Sequence, residues 1–217
     1  MNAPSSSNND PITVVIAVRG GAEAKSRLRP VLGRAGCSAL AGAMLGDMVA
    51  ALRASPRIGR IVLVTPTPAL ADGLDVDVLA ECGQGDINTA FAQASKSMTG
   101  PCLFLPGDLP ELDEGAVAAV LSGFAPGTVR LVPSVTDGGT GALLAQAAPA
   151  ELFAFGQNSL ERHRAAARQH GLMPVIMESA PFANDLDCPD QLPRAAHHGG
   201  PRTRALLAEL LPERQAA

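Results

Sequence analysis

The residues best suited to chemistry cluster at three places where glycine or proline turns the chain. In the first, Arg19, Gly20 and Gly21 precede Lys25, Arg27 and Arg29. Glycine lets backbone amides approach phosphate oxygens, and the basic side chains compensate a polyphosphate's charge. Neither G-x-x-x-x-G-K-[ST] nor G-x-G-x-x-G is present, so on its residues alone this segment reads more readily as a solvated basic loop, and its position right after the first buried strand brings the two readings level. The second place is Pro106-Gly107-Asp108-Leu109-Pro110, where a lone carboxylate follows an apolar run. Magnesium takes hard oxygen ligands, commonly one or two protein carboxylates completed by water and substrate phosphates. Asp108 suits that role, and it equally suits capping of a helix beginning near Leu112. Asn184-Asp185-Leu186-Asp187-Cys188-Pro189 offers further carboxylates. One of Asp185 and Asp187 is expected to bind a metal directly and the other through water or by orienting the loop, although Asp-x-Asp is also common in exposed turns.

The third place joins Asp137-Gly138-Gly139-Thr140-Gly141 to the stretch from Phe155 to His163. Thr140 and Ser159 supply hydroxyls. Ser159 falls in the first turn of a predicted helix, where free N–H groups and the helix dipole favour an anion, and Asn158 competes as a simple helix cap. Ser159 and His163 share that helix and no G-x-S-x-G surrounds the serine, which disfavours a hydrolase. His197 and His198, beside Gly199-Gly200, read as a solvated loop rather than metal ligands.

These places need elements to hold them. Ile12 to Val18 is a continuous apolar run rich in β-branched residues, the pattern of a strand buried on both faces, and structure is expected to start there after a disordered leader of residues 1–11. Further strands are predicted at Arg60–Thr65, Asp75–Leu79, Cys102–Leu105, Val129–Val132, Ala142–Ala145 and Met173–Met177. Helices are predicted at Cys37–Ala54, Ile87–Met98, Glu111–Ser122, Asn158–His170 and Arg202–Leu211. In the first of these, Leu40, Met44, Met48 and Leu52 form one apolar stripe for packing on the sheet. The alternation of strand and helix predicts a single α/β domain over residues 12–217: a mostly parallel sheet, helices on both faces, and a binding crevice at the carboxyl ends of the strands. The turn-rich segment around Gly138-Gly139 can close a hairpin.

Composition narrows the function classes. The 217 residues carry 17 Lys+Arg against 21 Asp+Glu, so the basic excess of a nucleic-acid binder is missing. With six Phe and no Trp or Tyr, the core must be aliphatic, and aromatic platforms for single strands are not expected. No run approaches the eighteen apolar residues a membrane span needs and the N-terminus lacks signal-peptide regions, so a cytoplasmic protein without a membrane partner is expected. Cys37, Cys82, Cys102 and Cys188 form no C-x-x-C pair and read as small core or loop residues rather than metal ligands.

Ala24-Lys25-Ser26-Arg27-Leu28, Gly107-Asp108-Leu109-Pro110, Asp137-Gly138-Gly139-Thr140, Phe155-Gly156 with Ser159 and His163, and Asp185-Leu186-Asp187 with Pro189 together resemble the 2-phospho-L-lactate guanylyltransferase family of coenzyme F-420 biosynthesis. The resemblance runs from about Ile12 to the Gly200–Arg204 segment. It implies a Rossmann-like nucleotide-diphospho-sugar transferase fold and magnesium-dependent transfer of GMP from GTP to a small phosphorylated acid, with release of pyrophosphate. By resemblance, Ala17, Arg19, Gly20, Lys25, Gly85 and Asn88 would bind the nucleotide, and Lys25 and Asp108 would be catalytic. Asp108, Asp185 and Asp187 would hold Mg2+, while Thr140, Gly156 and Ser159 would bind the phospho-acid. The family uses 2-phospholactate, phosphoenolpyruvate and 3-phosphoglycerate. A related transferase with another nucleotide, a sugar phosphate or molybdopterin is the alternative, as is a non-catalytic nucleotide-binding paralogue. A homodimer and hand-over of product to the next pathway enzyme are compatible with the family. The chain departs from it at Gly141, where asparagine is usual, at Gln157-Asn158, where Pro-Gly is usual, and at Arg19, where lysine is common. Without Trp or Tyr, guanine would be held by backbone and amide hydrogen bonds and aliphatic contacts, unless a Phe reaches it.

Overall fold

The computed structural model describes residues 10–18, 25–81, 85–135, 138–146 and 148–211. Residues 1–9 of the leader expected over 1–11, together with Arg19, Gly20, Cys82 and Asp137, lie outside the described residues. Within them, β1 (Ile12–Ala17), β2 (Ile58–Thr65), β3 (Asp77–Ala80), β4 (Pro101–Pro106), β5 (Thr128–Pro133), β6 (Thr140–Gln146) and β7 (Met173–Ile176) form one sheet in the order β3-β2-β1-β4-β6-β5-β7. Every neighbouring pair is parallel except those made by β6, which runs antiparallel to both β4 and β5. The predicted hairpin is the β5–β6 pair.

Alternation along the strands explains why their sequences read as unbroken apolar runs. Val14 and Ile16 of β1, Ile61 and Leu63 of β2, and Leu103 and Leu105 of β4 face one side. There they meet Leu45, Met48 and Leu52 of α1 (Arg29–Arg53) and Val117, Val120 and Leu121 of α3 (Glu114–Leu121). The residues between them, Val15, Val62, Val64 and Phe104, face the other side and meet Phe91 of α2 (Ile87–Ser95) and Ala167 of α4 (Ser159–Gln169). Both faces are therefore core, as period-two geometry requires of a sheet sandwiched by helices.

The α1 stripe does two jobs. Met48 and Leu52 pack on the sheet, whereas Leu40 and Met44 pack with Leu186, Leu192 and Leu207 against α6 (Leu192–His198) and α7 (Pro201–Leu210). Two expectations need correction here. His197 and His198 are exposed but end a helix rather than lie in a loop, because Leu192 and Ala195 anchor that turn in the core. The stretch Ser26–Arg53 is also long and apolar enough, by length and composition, to cross a membrane. Counting uninterrupted apolar residues hid this. Most of that stretch is buried against the protein itself, and α1 is broken at Gly33 (φ 66°, ψ 176°).

A short helix, α5 (Ala180–Ala183), presses its backbone onto β6. A Cβ on Gly141 would stand 1.7 Å from the Phe182 carbonyl oxygen, so no side chain fits there unless α5 moves. This accounts for the glycine at position 141. Gly141→Ala is expected to destabilise the protein by about 1–3 kcal/mol through overpacking. Urea denaturation checks this, and an unchanged midpoint would contradict the close approach.

Candidate active site

The carboxyl ends of β1 and β4 lie side by side, and the loops leaving them build the cleft. The Gly107 N–H donates to the Ala17 carbonyl at 3.0 Å, and a Cβ on Gly107 would fall 2.0 Å from Val18 Cγ2. Only glycine allows that approach, which brings Asp108 to the crevice immediately after β4. Capping of the following helix falls to Asp113, which accepts the Ala116 N–H at 2.7 Å, so Asp108 is not the cap.

Lys25 reaches the same point from the β1 side. Its Nζ donates to Asp108 Oδ2 and to Asp187 Oδ1, each at 2.8 Å, with the lysine side chain 10% exposed and the carboxylates 24% and 46%. Burial works against the ammonium, but the charges of Asp108 and Asp187 and their hydrogen bonds outweigh it and raise the Lys25 pKa. Lys25 thus stays cationic at any physiological pH. Its backbone is left-handed (φ 52°, ψ 42°), a conformation costly for a residue with a Cβ and characteristic of functional sites. Leu186 is buried and its N–H donates to the Asp108 carbonyl at 3.1 Å, which fixes the aspartates on either side of it against the β4 loop.

Two lobes of the cleft share this floor. One, of about 270 Å³, is lined by Ala17, Val18, Lys25, Glu81 and Asp86. The other, of about 230 Å³, is lined by Ser134, Gly139, Thr140, Phe155, Gly156 and Asp185. Ile87, Pro106, Asp108 and Asp187 belong to both. The structure therefore brings Ala17, Lys25 and Asp108 together on one side, and Thr140, Gly156 and Asp185 on the other. No Phe lines the first lobe, whereas Phe155 and Phe182 line the second.

Other expected residues line neither lobe. Gly85 lies against Thr89 and Glu81 next to the first lobe rather than in its lining. Asn88, expected to face a nucleotide, is engaged elsewhere: its Oδ1 accepts the Phe155 N–H at 2.6 Å and its Nδ2 donates to the Phe155 carbonyl at 3.1 Å. It thereby ties α2, beside the first lobe, to the loop that lines the second. Ser159 is fully buried and donates to Thr140 Oγ1 at 3.1 Å. The free amides expected at the start of α4 are partly used, since the Ser159 and Leu160 N–H groups donate to the Gly156 and Gly138 carbonyls. Asn158 occupies the N-cap position with left-handed backbone and makes no side-chain cap.

Among the described residues, no three His, Cys, Asp or Glu side chains converge as a ready metal-binding group. Magnesium does not need three, because substrate phosphates and water fill its shell. Asp108 Oδ1 is buried without a hydrogen-bond partner among the described residues, and with Asp187 beside it the donor set is hard oxygen of the kind that ion takes. These residues fit the group. The cysteines Cys37, Cys102 and Cys188 are unpaired thiols.

His163, to which the sequence assigns no binding or catalytic role, is fully buried in α4. Its Nε2 accepts the Ala154 N–H at 3.0 Å and its Nδ1 lies 2.8 Å from Thr140 Oγ1. Burial, and secondarily the nearby Arg162 charge, lower its pKa from 6.5 to about 4. The unfolded chain therefore binds a proton that the folded chain refuses between these values, so this contribution to stability is complete above about pH 6.5 and is lost as pH falls toward 4. The loss is about 3 kcal/mol at the lower end. Urea unfolding of wild type and His163→Asn should converge or cross as pH drops through this window, and a constant difference between them would contradict the buried neutral ring.

Comparison with known proteins agrees with this architecture. The model of the family described as "Guanylyl transferase CofC like" matches residues 12–211. A 3-phospho-D-glycerate guanylyltransferase of Phenylobacterium zucineum is 36% identical over 207 residues, covering 90% of this chain and 95% of its own. A phosphoenolpyruvate guanylyltransferase of Rubrobacter xylanophilus is 33% identical, covering 89% and 97%. Among solved structures, a protein of Desulfovibrio desulfuricans assigned to the nucleotide-diphospho-sugar transferases superposes with a TM-score of 0.71 at 14% identity, covering 93% of this chain and 98% of its own. A CMP:2-keto-3-deoxy-manno-octonic acid synthetase does so with a TM-score of 0.59 at 12% identity, covering 93% and 100%. At such identities the structures speak to the fold alone, the α/β nucleotidyltransferase type, while the family model and the sequence relatives together establish that this chain belongs to the CofC-like guanylyl transferase family.

Proposed function

We propose that this enzyme transfers GMP from GTP to a three-carbon phospho-acid, phosphoenolpyruvate or 3-phosphoglycerate, with release of pyrophosphate, as a step of coenzyme F-420 biosynthesis. The observation that carries this reading is the pair of lobes meeting over the Lys25–Asp108–Asp187 junction. Two anionic substrates must be brought together, and one cation held between two carboxylates at the shared floor is placed to compensate both.

In the transfer, an anionic oxygen of the acceptor's phosphate attacks the α-phosphorus of GTP. The new P–O–P bond forms as the bond from that phosphorus to the α,β-bridging oxygen breaks, and the electron pair leaves on pyrophosphate. The nucleophile is already ionised, so no general base is needed and the work is positioning and charge compensation. Lys25 supplies a buried positive charge that persists throughout. Asp108 and Asp187, with Asp185 alongside in the second lobe, would hold magnesium, which when bound supplies charge compensation for the triphosphate. Thr140, backed by Ser159, and the Gly156 backbone present polar groups to the acid. The first lobe, lacking Phe, would hold guanine by backbone and carboxylate hydrogen bonds.

Incubating the protein with magnesium, each nucleoside triphosphate and each of phosphoenolpyruvate, 3-phosphoglycerate and 2-phospholactate, and measuring pyrophosphate, tests the reading. GTP with one of the first two acids should be the productive pair, and chelation should abolish the signal. Release with no pair, or only with another triphosphate, would overturn it. Asp108→Asn should lower kcat/KM by about a hundredfold or more while leaving the fold intact, as expected for a group that holds charge at the reacting centre.

A further inference from the structure

We propose that His163 is a positioning residue that turns the Thr140 hydroxyl proton into the second lobe, so that Thr140 acts there as a donor to an anionic oxygen of the acceptor. The inference rests on the second lobe being the phospho-acid site.

The direction of the two hydrogen bonds to the imidazole follows from what the partners are able to do. The Ala154 backbone N–H can only donate, so the His163 Nε2 that it meets at 3.0 Å must accept and carries no proton. A neutral imidazole then has its hydrogen on Nδ1, and burial keeps the ring neutral. That Nδ1–H faces Thr140 Oγ1 at 2.8 Å and donates to it. Ser159 Oγ donates to the same oxygen at 3.1 Å. Both lone pairs of Thr140 Oγ1 are thereby occupied, and its own hydrogen is left as the group able to seek a partner. Ser159 lies wholly in the interior and does not line the lobe, whereas Thr140 does, next to Gly139 and close to Gly156. That proton is accordingly assigned to the lobe, which Thr140 lines and Ser159 does not.

The ring is held in this role from a second side. Phe155 meets it edge to face, with ring centroids 4.7 Å apart, and the Phe155 backbone is in turn held by Asn88. A threonine hydroxyl left to rotate would present a lone pair to an anion as readily as its proton. Fixing the rotor removes that repulsive alternative before the acid arrives, which is preorganisation in the sense that matters for an anion site. His163 contacts neither lobe, so its effect should be on acid binding and not on the nucleotide.

The test compares two variants of the full chain that each keep one half of the imidazole's bonding. His163→Asn places an amide N–H near the position of Nδ1 and keeps donation to Thr140, whereas His163→Gln places an amide oxygen near Nε2 and keeps only the Ala154 contact. In steady-state kinetics, H163Q should raise KM for the acid about 10-fold to 100-fold, the loss of one hydrogen bond to a charged group, with KM for GTP within about twofold. H163N should stay within about threefold for both. Thr140→Val should show the same acid-specific rise as H163Q, and H163Q should add little to it. If H163Q does not fold, H163N and T140V decide: a rise with T140V but not H163N supports the proposal. Equal rises with H163N and H163Q, or a parallel rise for GTP, would overturn it. A wild-type protein inactive with every acid would instead refute the reading of the lobe, and the proposal with it.

Discussion

A cation buried at the meeting point of three loops is the constraint on which the rest of the site depends. Lys25 is 83 residues from Asp108 and 162 from Asp187, yet one ammonium bonds both. Such a group tolerates burial only if its partners are held still, because an unpaired charge in that position would cost several kcal/mol. The fold provides the stillness. Parallel pairing of β1 with β4 sets the Lys25 and Asp108 loops side by side, the Gly107 contact removes the space between them, and the buried Leu186 pins the third loop to the Asp108 carbonyl. The left-handed backbone at Lys25 is part of the same compromise.

From that junction the two lobes follow. The sheet's one antiparallel strand, β6, begins at Thr140, so the hairpin that interrupts the parallel order also delivers the hydroxyl wall of the second lobe. Asn88 then links the lobes mechanically, with its amide spent on the backbone of Phe155. The four phenylalanines Phe91, Phe104, Phe153 and Phe155 pack on one another, with centroids 4.7–5.7 Å apart, on the α2 and α4 face of the sheet. The scarce aromatics are thus committed mainly to the core, and none lines the first lobe.

Much of this was legible in the chain. Ile12–Ala17 and Pro101–Pro106 are strands because uninterrupted β-branched and apolar residues suit burial on both faces, and glycine or proline next to a strand end marked the loops that carry Lys25 and Asp108. What escaped was long-range. Nothing local says that Asn88 will pair with a backbone 67 residues away, that His163 will meet Thr140 rather than Ser159, or that Gly141 lies under the carbonyl of Phe182. The α6 turn was missed because its stability comes from Leu192 and Ala195 packing on α1, while its Pro193 and its flanking Gly199-Gly200 look like loop. Tertiary burial overrode local propensity there.

The central claim is that nucleotide and acceptor occupy separate lobes and meet over the Lys25–Asp108–Asp187 junction. A crystal structure of the protein with magnesium, a non-reactive GTP analogue and 3-phosphoglycerate or phosphoenolpyruvate measures this directly. The triphosphate is expected beside Ala17, Val18 and Lys25, the acid against Thr140 and Gly156, and the acid's phosphate turned toward the α-phosphorus above Asp108 and Asp187. A triphosphate remote from Lys25, or both ligands competing for one lobe, would contradict it.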